Sequence, residues 1–318
     1  MKILVTGHSG LLGSHLVTLL KAEGHEVYGI SRTNRMGMIG NVFLGDLADV
    51  SLSTVTQYVF EQVKFDAVYH LAANAAEAKG QVSPVDMVSR NLLLSTNVLR
   101  YAIQSGVKKF IYASSVSVYG DAPIPYAEDS QPHPKDVYGV NKIAFEQELK
   151  IMAQVYGFDY TIFRPHNLYG PGQNPNDLTK NVINLFMRKI LLREPYTILG
   201  DGSVRRGFSY APDVAKVFAQ ALEGLSKITM NVGTTHIASI EQLSALLQQI
   251  TKSDTQVERK PLRKQEIDLF IADHSLQSSL VEYHETPLEE GLRETWDWMK
   301  KQDISKPIKF KEEICLPK

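Results

Sequence analysis

The chain has 318 residues, 43% hydrophobic and 22% charged, with a formal net charge of −1 at pH 7. That length admits one large two-lobed domain or two domains around a sizeable core, and a balanced charge with no block of one sign gives no broad basic face for nucleic acid. Cys315 is the only cysteine, so no intramolecular disulfide can form, which suits a reducing cytoplasm; the N-terminal apolar run, broken by Gly7, His8 and Ser9, is too short for a signal peptide, and no stretch has the length of a membrane span.

Taken in chain order, the first half alternates short β-branched runs with helical stretches. Ile3-Leu4-Val5 reads as a strand buried on both faces. A glycine-rich turn follows, and then Leu12, Leu16, Leu19 and Leu20 mark the apolar stripe of a helix. Further strands are expected at 26–30, 42–44, 67–71, 110–113 and 160–163, with helices over about 85–105 and 138–156. This alternation predicts an α/β fold, a doubly wound parallel sheet of the Rossmann type, with a smaller C-terminal α/β lobe for a substrate. Beyond Pro165 the pattern is broken by Gly170, Pro171, Gly172 and Pro175, and helical stripes return near 182–192, 214–225 and 240–250. The expected division is a dinucleotide domain, 1–166 plus about 207–238, a substrate lobe, about 167–206 plus 239–302, and a tail, 303–318.

Two features carry chemistry. The first is Gly7-His8-Ser9-Gly10-Leu11-Leu12-Gly13, a Gly-x-x-Gly-x-x-Gly turn between a strand and a helix. Such glycines allow a tight turn and close approach of backbone to a pyrophosphate, which the helix N-terminus attracts; a plain strand-to-helix turn is the bland alternative. At the end of the second strand, where a carboxylate often holds the adenosine ribose, stand Ser31 and Arg32. This inclines the reading from NAD towards NADP, against a solvated loop arginine. Asp46 would meet the adenine amino group or cap the next helix. The second feature is Tyr138 and Lys142, four apart and so on one helical face. A tyrosine hydroxyl titrates near 10, and bringing it to neutrality removes about 3 pH units, roughly 4 kcal/mol. The lysine charge acts in that direction. Ser114 and Ser115 close the fifth strand at the edge where such sheets bind ligands. No His-Glu-x-x-His motif and no second cysteine are present, so no metal site is expected, and the histidines, His8, His70 and His166 included, take the bland reading.

The order glycine turn, Ser-Ser, Tyr-x-x-x-Lys resembles the extended short-chain dehydrogenase/reductase family, and within it the nucleotide-sugar epimerases of the UDP-glucose 4-epimerase type. The matches run nearly end to end: Thr6 to Gly13, Gly45-Asp46-Leu47, His70 to Ala73, Asn91, Ser114 to Gly120, Tyr138 to Lys142, Arg164 to Pro171, Gly200-Asp201-Gly202, Arg206 with Asp213, and Asn231-Val232-Gly233. The resemblance implies that Ser115 and Tyr138 contact the reacting hydroxyl and that Lys142 holds the nicotinamide ribose. With the readings above, this gives Gly7, Ser9, Gly10, Leu11, Leu12, Gly13, Ser31, Arg32, Asp46, Leu47, Leu71, Ala72, Ala73, Asn91, Ser114 and Pro165 as the expected contacts of a retained NAD or NADP. Asn167, Arg206 and Arg263 would face the diphosphate of a sugar nucleotide, and Phe270 would stand where bulky sugar substituents are gated. It also implies a homodimer through the two long helices.

By the same resemblance, Tyr138 would take the proton of the sugar 4-hydroxyl while C4 gives hydride to the nicotinamide, and the 4-keto sugar would turn before the hydride returns. Three departures stand out. The usual Arg-Pro-Gly-Asp reads Arg263-Lys264-Gln265-Glu266, the second-strand acid is missing, and Leu94 replaces a small residue. Ser115-Val116-Ser117 lacks the carboxylates that dehydratases and decarboxylases of the family carry there. A 4-ketoreductase using NADPH is the alternative enzyme, and a non-catalytic nucleotide-binding protein the alternative from another class.

Overall fold

The computed structural model describes residues 1–32, 40–49, 54–75, 83–178, 181–261 and 269–306. Six strands fall where the apolar runs predict them: β1 (Lys2–Thr6), β2 (Glu26–Ser31), β3 (Asn41–Leu44), β4 (Ala67–His70), β5 (Lys109–Ala113) and β6 (Asp159–Pro165). The chain then leaves the sheet for β7 (Tyr196–Leu199) and β8 (Arg205–Gly207) and returns as β9 (Ile228–Val232). β1 to β6 and β9 make a seven-stranded sheet in the order β3-β2-β1-β4-β5-β6-β9, every pair parallel. The order reverses between β1 and β4, and the crevice beyond the carboxyl ends there is the ligand position of such sheets.

Successive strand residues point to opposite faces, so each strand feeds two cores. Ile3 and Val5 pack on one side with Leu12, Leu16 and Leu20 of α1 (Leu11–Ala22) and Val214, Val217 and Phe218 of a later helix. Leu4, Val68, Phe110 and Ile162 pack on the other, under α2 (Val55–Gln62), the 84–104 helical stretch, and the helix that carries Tyr138. Full burial of one such side chain contributes about 1.5–3 kcal/mol. The expected 85–105 helix is three pieces: α3 (Pro84–Val88), a π-helical turn Ser89–Leu93, and α4 (Leu94–Gln104). Leu94, in place of a small residue, is accommodated in the core.

The helix α5 (Val137–Tyr156) starts at Asp136, whose carboxylate accepts from the Gly139 N–H at 2.7 Å, and ends at Gly157 in the left-handed conformation. The remaining helices are α6 (Val182–Leu192), α7 (Ala211–Ala219), α8 (Ile240–Thr251), α9 (Ser275–Leu280) and α10 (Leu288–Met299). A separate core lies among α6, α8 and α10, with Ile183, Phe186, Met187, Leu243, Leu247 and Leu292 at its centre. It is edged by two small sheets, β10 (Ile237–Ser239) with β8 and β12 (Leu269–Phe270), and β11 (Val257–Lys260) with β7.

Candidate active site

The glycine turn is packed against the end of β4. A Cβ on Gly7 would lie 2.8 Å from the Ala72 nitrogen, and one on Gly13 would lie 2.2 Å from the Gly7 carbonyl oxygen, so neither position has room for a side chain. Gly10 caps α1 without a side chain, and no acidic residue stands in its first turn. The partial positive charge at that helix start is therefore left for an anion, which fits the pyrophosphate of a dinucleotide. His8 is buried with its ring against Gly29 of β2, and burial lowers its pKa. Beyond β2, Arg32 is exposed, and it has no ion-pair partner among the described residues. Asp46 does not cap the following helix; Thr54 does, accepting from the Gln57 N–H at 3.1 Å. One Asp46 oxygen accepts from the Ala48 N–H at 3.0 Å and the other lies 3.6 Å from Arg90, while Leu47 is buried.

Tyr138 and Lys142 face inward from the first two turns of α5 and are 7% and 2% exposed. The helix can start this close to the β5 edge because residue 139 is glycine; a Cβ there would be 2.5 Å from the Ser117 carbonyl oxygen. Ser115 is brought beside the helix on the same edge. Its Oγ accepts from the Ser117 N–H at 3.1 Å and caps the short 3₁₀ turn Val116–Val118. The Lys142 ammonium donates to the Ala113 carbonyl at 2.6 Å and lies 5.5 Å from the centre of the Tyr138 ring and 4.6 Å from that of Tyr112. Burial pushes Lys142 down to about 7, against an opposing pull from Glu146. Lys142 therefore titrates near neutrality, beside the Tyr138 ring at the sheet edge.

A chain of hydrogen bonds ties the end of β1, just before the glycine turn, to the segment after β4. Thr6 Oγ1 and His70 Nδ1 are 2.8 Å apart, and His70 Nε2 and Ser95 Oγ are 2.8 Å apart. Ser95 donates in turn to the Asn91 carbonyl. Asn91 sits in the π-helical turn, where an extra residue re-aims the side chain inward. Its amide accepts from the Asn74 N–H at 2.8 Å and donates to the Asn74 carbonyl at 3.2 Å, fixing the strand end that carries Leu71, Ala72 and Ala73. His70 is pushed down to about 3 by burial and by Lys142, so it is neutral.

On the substrate side, Asn167 adopts φ 41°, in the left-handed region that asparagine tolerates better than most residues. Its amide donates to the Gly207 carbonyl at 2.9 Å, which brings the loop after Pro165 against β8. Arg206 lies on β8, and its register partner on β12 is Phe270, so these two expected substrate positions are adjacent. Arg263 lies outside the described residues. His166 is not turned to a substrate. It is buried under Gly207 and Gly233, its Nε2 lies 3.0 Å from that of His274, and burial pushes it down to about 3.

The residues that the motifs leave without a role are Glu146, Arg164, Tyr119 and Asn231. Glu146 and Arg164 form a fully buried two-pronged ion pair, at 2.9 and 2.6 Å. Arg164 donates to the Tyr119 hydroxyl at 2.7 Å, and Tyr119 donates to Asn231 at 2.7 Å. The signal for Glu146 is spacing alone: it stands four residues after Lys142 and eight after Tyr138, on one helix face.

Comparison with known proteins identifies the family and the fold. The model of the NAD-dependent epimerase/dehydratase family matches residues 3–233. The UDP-glucose 4-epimerase of Thermotoga maritima, solved with UDP-glucose, superposes with a TM-score of 0.89 at 31% identity, covering 95% of this chain and 99% of its own. That of Thermus thermophilus, solved with NAD, gives 0.85 at 28% identity, covering 95% and 99%. The UDP-glucuronate 4-epimerase of Thermodesulfobacterium geofontis is 28% identical over 96% of this chain and 98% of its own length. With the parallel sheet, the glycine cradle and the Tyr138–Lys142 pair in place, the chain belongs to the NAD-dependent epimerase/dehydratase family.

Proposed function

We propose that this protein epimerises a nucleoside-diphosphate sugar at C4 through a 4-keto intermediate. The observation that carries the reading is the buried Tyr138–Lys142 pair beside Ser115, in a segment that has serine, not a carboxylate, at 117. A dinucleotide held by the glycine turn would supply the acceptor and donor for the C4 hydrogen. Tyr138 removes the proton of the 4-hydroxyl and later returns it, and Ser115 positions that hydroxyl. Lys142 holds the ribose and keeps the phenolate favourable. Asn167, Arg206 and Arg263 hold the diphosphate by charge-assisted hydrogen bonds, which leaves the sugar free to turn. Elimination and decarboxylation, which other family chemistry requires, lack their acid here.

The dinucleotide domain comprises 1–166 and about 207–238, and the substrate lobe about 167–206 and 239–302. Exposed Val85, Leu93, Val140, Ile151 and Val155 along the 84–104 and 137–156 helices support a homodimer through that face. A single cysteine, and no helix among the described residues long and apolar enough to cross a membrane, suit a cytoplasmic enzyme. Exposed Arg32 after Ser31 favours NADP, and it is also what favours the second reading, a 4-ketoreductase that consumes NADPH. Two measurements test the reading. Purified protein is denatured and the released dinucleotide identified by mass spectrometry, and native protein is assayed with UDP-glucose and a panel of other sugar nucleotides without added cofactor. Interconversion of C4 epimers without added cofactor is expected. Stoichiometric consumption of NADPH with no epimer formed would overturn epimerisation in favour of reduction.

A further inference from the structure

The environment of Lys142 contains more charge than the reaction uses. Glu146 is completely buried one helical turn beyond it. Four-residue spacing is what joins a lysine and a glutamate on a helix, yet among the described residues Lys142 makes no ion pair, and its ammonium is spent on the Ala113 carbonyl. Both Glu146 oxygens are taken instead, by Nε and Nη2 of Arg164 from β6 and by the Ser114 hydroxyl. Arg164 is itself fixed, its Nη1 donating to the Tyr119 hydroxyl and to the Glu128 carbonyl.

The other titratable groups around the pair are neutral or only part-buried. From β4, His70 is neutral at neutral pH, held near 3 by burial and Lys142. From β5, Tyr112 is pushed well above its ordinary range by burial. Tyr119 is pushed up to about 12 by burial. Glu148 bonds Thr96 at 2.7 Å, Asp136 caps the helix start, and Glu128 accepts from the Asn231 N–H at 2.9 Å. Lys150, one turn past Glu146, is half-buried, and burial lowers it. The fully buried charges here are therefore Lys142, Glu146 and Arg164, two positive and one negative, of which only Glu146 and Arg164 are paired.

We propose that Arg164 is a positioning residue that clamps Glu146 away from Lys142 and so leaves one unbalanced buried positive charge for the Tyr138 phenolate to complete. Without the clamp, Glu146 turns to Lys142, the cationic state of the Tyr138–Lys142 pair is stabilised, and its proton is released only at higher pH. This rests on Tyr138 being the acid/base of the proposed reaction, and the test separates the two. The pair's ionisation is followed by carbon NMR of protein labelled at lysine and tyrosine, assigned with Tyr138→Phe, alongside the acid limb of the rate profile. The Arg164→Met variant is expected to move the midpoint up by about one pH unit or more, so that activity falls about tenfold below the midpoint and recovers at high pH.

Glu146→Gln is expected to move it down, because Arg164 then stands unopposed. The double variant Glu146→Gln/Arg164→Met restores a single positive charge and is expected to bring the midpoint back near that of the parent. A merely structural ion pair would lower stability in all three without this order. If Arg164→Met does not fold, the other two variants still decide. A midpoint unchanged in Glu146→Gln, or a double variant displaced from the parent, would overturn the inference while leaving Tyr138 as acid/base, whereas an active Tyr138→Phe enzyme would overturn the reaction assignment itself.

Discussion

The cofactor side and the substrate side of this molecule are built differently. Up to Pro165 the chain lays six strands into one parallel sheet; β1, β2, β4, β5 and the middle of β6 are buried on both faces and read as mainly apolar runs, while the edge strand β3 is half-exposed. The substrate side is assembled from dispersed short pieces. β8 and β10 have three residues each and β12 has two, in a separate sheet, and β11 reads Val-Glu-Arg-Lys with three exposed residues. On the proposed reading, the first side holds a cofactor by backbone approach and a helix terminus, which many sequences can supply. On the same reading, the second side recognises its ligand through a few polar side chains brought in from distant segments. The difference implies that changes on the cofactor side act through fit and stability, and changes on the substrate side through affinity.

The largest expected effect breaks neither side. Tyr138→Phe should lower kcat about a thousandfold while the protein still binds its dinucleotide and the sugar nucleotide. Turnover in pre-loaded protein and binding by calorimetry check both halves of that statement, and near-normal turnover would remove Tyr138 from the mechanism. The next effect is confined to the cofactor side. Gly13→Ala puts a Cβ against the Gly7 carbonyl at 2.2 Å, backbone against backbone. A cost at the upper end of overpacking, about 3 kcal/mol, is expected in urea unfolding, together with loss of dinucleotide from the purified protein. Unchanged retention would mean that the turn does not face the cofactor.

The same contrast explains what was legible. The six strands before Pro165 and the helices at 182–192 and 240–251 stand out because burial on a face or a stripe imposes a period on the residues. β9 is hidden because Ile228-Thr229-Met230-Asn231-Val232 is part polar, and its place at the sheet end is set by pairing with β6 rather than by its own pattern. The π-helical turn that aims Asn91 inward leaves no periodic signal, since one extra residue shifts the stripe without breaking it. α10 was readable: Leu288, Leu292, Trp296 and Met299 are at helical spacing, although the elements drawn from the sequence stop at Ile250. Tyr138, Lys142 and Ser115 were legible as a motif, and the structure brings them to one sheet edge. The Glu146–Arg164 clamp was not, because nothing in the spacing of two residues 18 apart says that they meet.

A pH experiment sharpens the comparison where the two sides meet. His70, on the cofactor side, and His166, at the joint, are both held near 3 by burial, against 6.5 for a free imidazole. Between those values the unfolded chain binds the extra proton and the folded chain does not, so stability rises with pH and is lost as the pH falls from about 6.5 towards 3. At about pH 5 each contributes a loss of about 2 kcal/mol. His166→Asn should remove its share and flatten the acid limb of a urea-midpoint profile. An unchanged limb would mean that His166 charges in the folded protein.

The smallest effect concerns a contact that joins the two sides directly. His15 lies on α1, one turn from the glycine cradle, and its Nε2 donates to the Pro171 carbonyl at 2.8 Å, in the loop that opens the substrate side. Burial lowers its pKa, so the bond is that of a neutral imidazole, worth about 1 kcal/mol. Gly172 is packed nearby, its would-be Cβ 3.3 Å from Ser14 Oγ, so the loop has little freedom to find another partner. In His15→Ala the loop loses its anchor to the cofactor helix, while the helix keeps its own core residues, Leu12, Leu16 and Leu20. The KM for the sugar nucleotide should rise severalfold, with dinucleotide affinity and kcat little changed and stability lower by about 1 kcal/mol. Equal loss of cofactor and substrate affinity would mean that α1 itself had moved, and the division between a backbone-built side and a side-chain-built side would then fail at its own boundary.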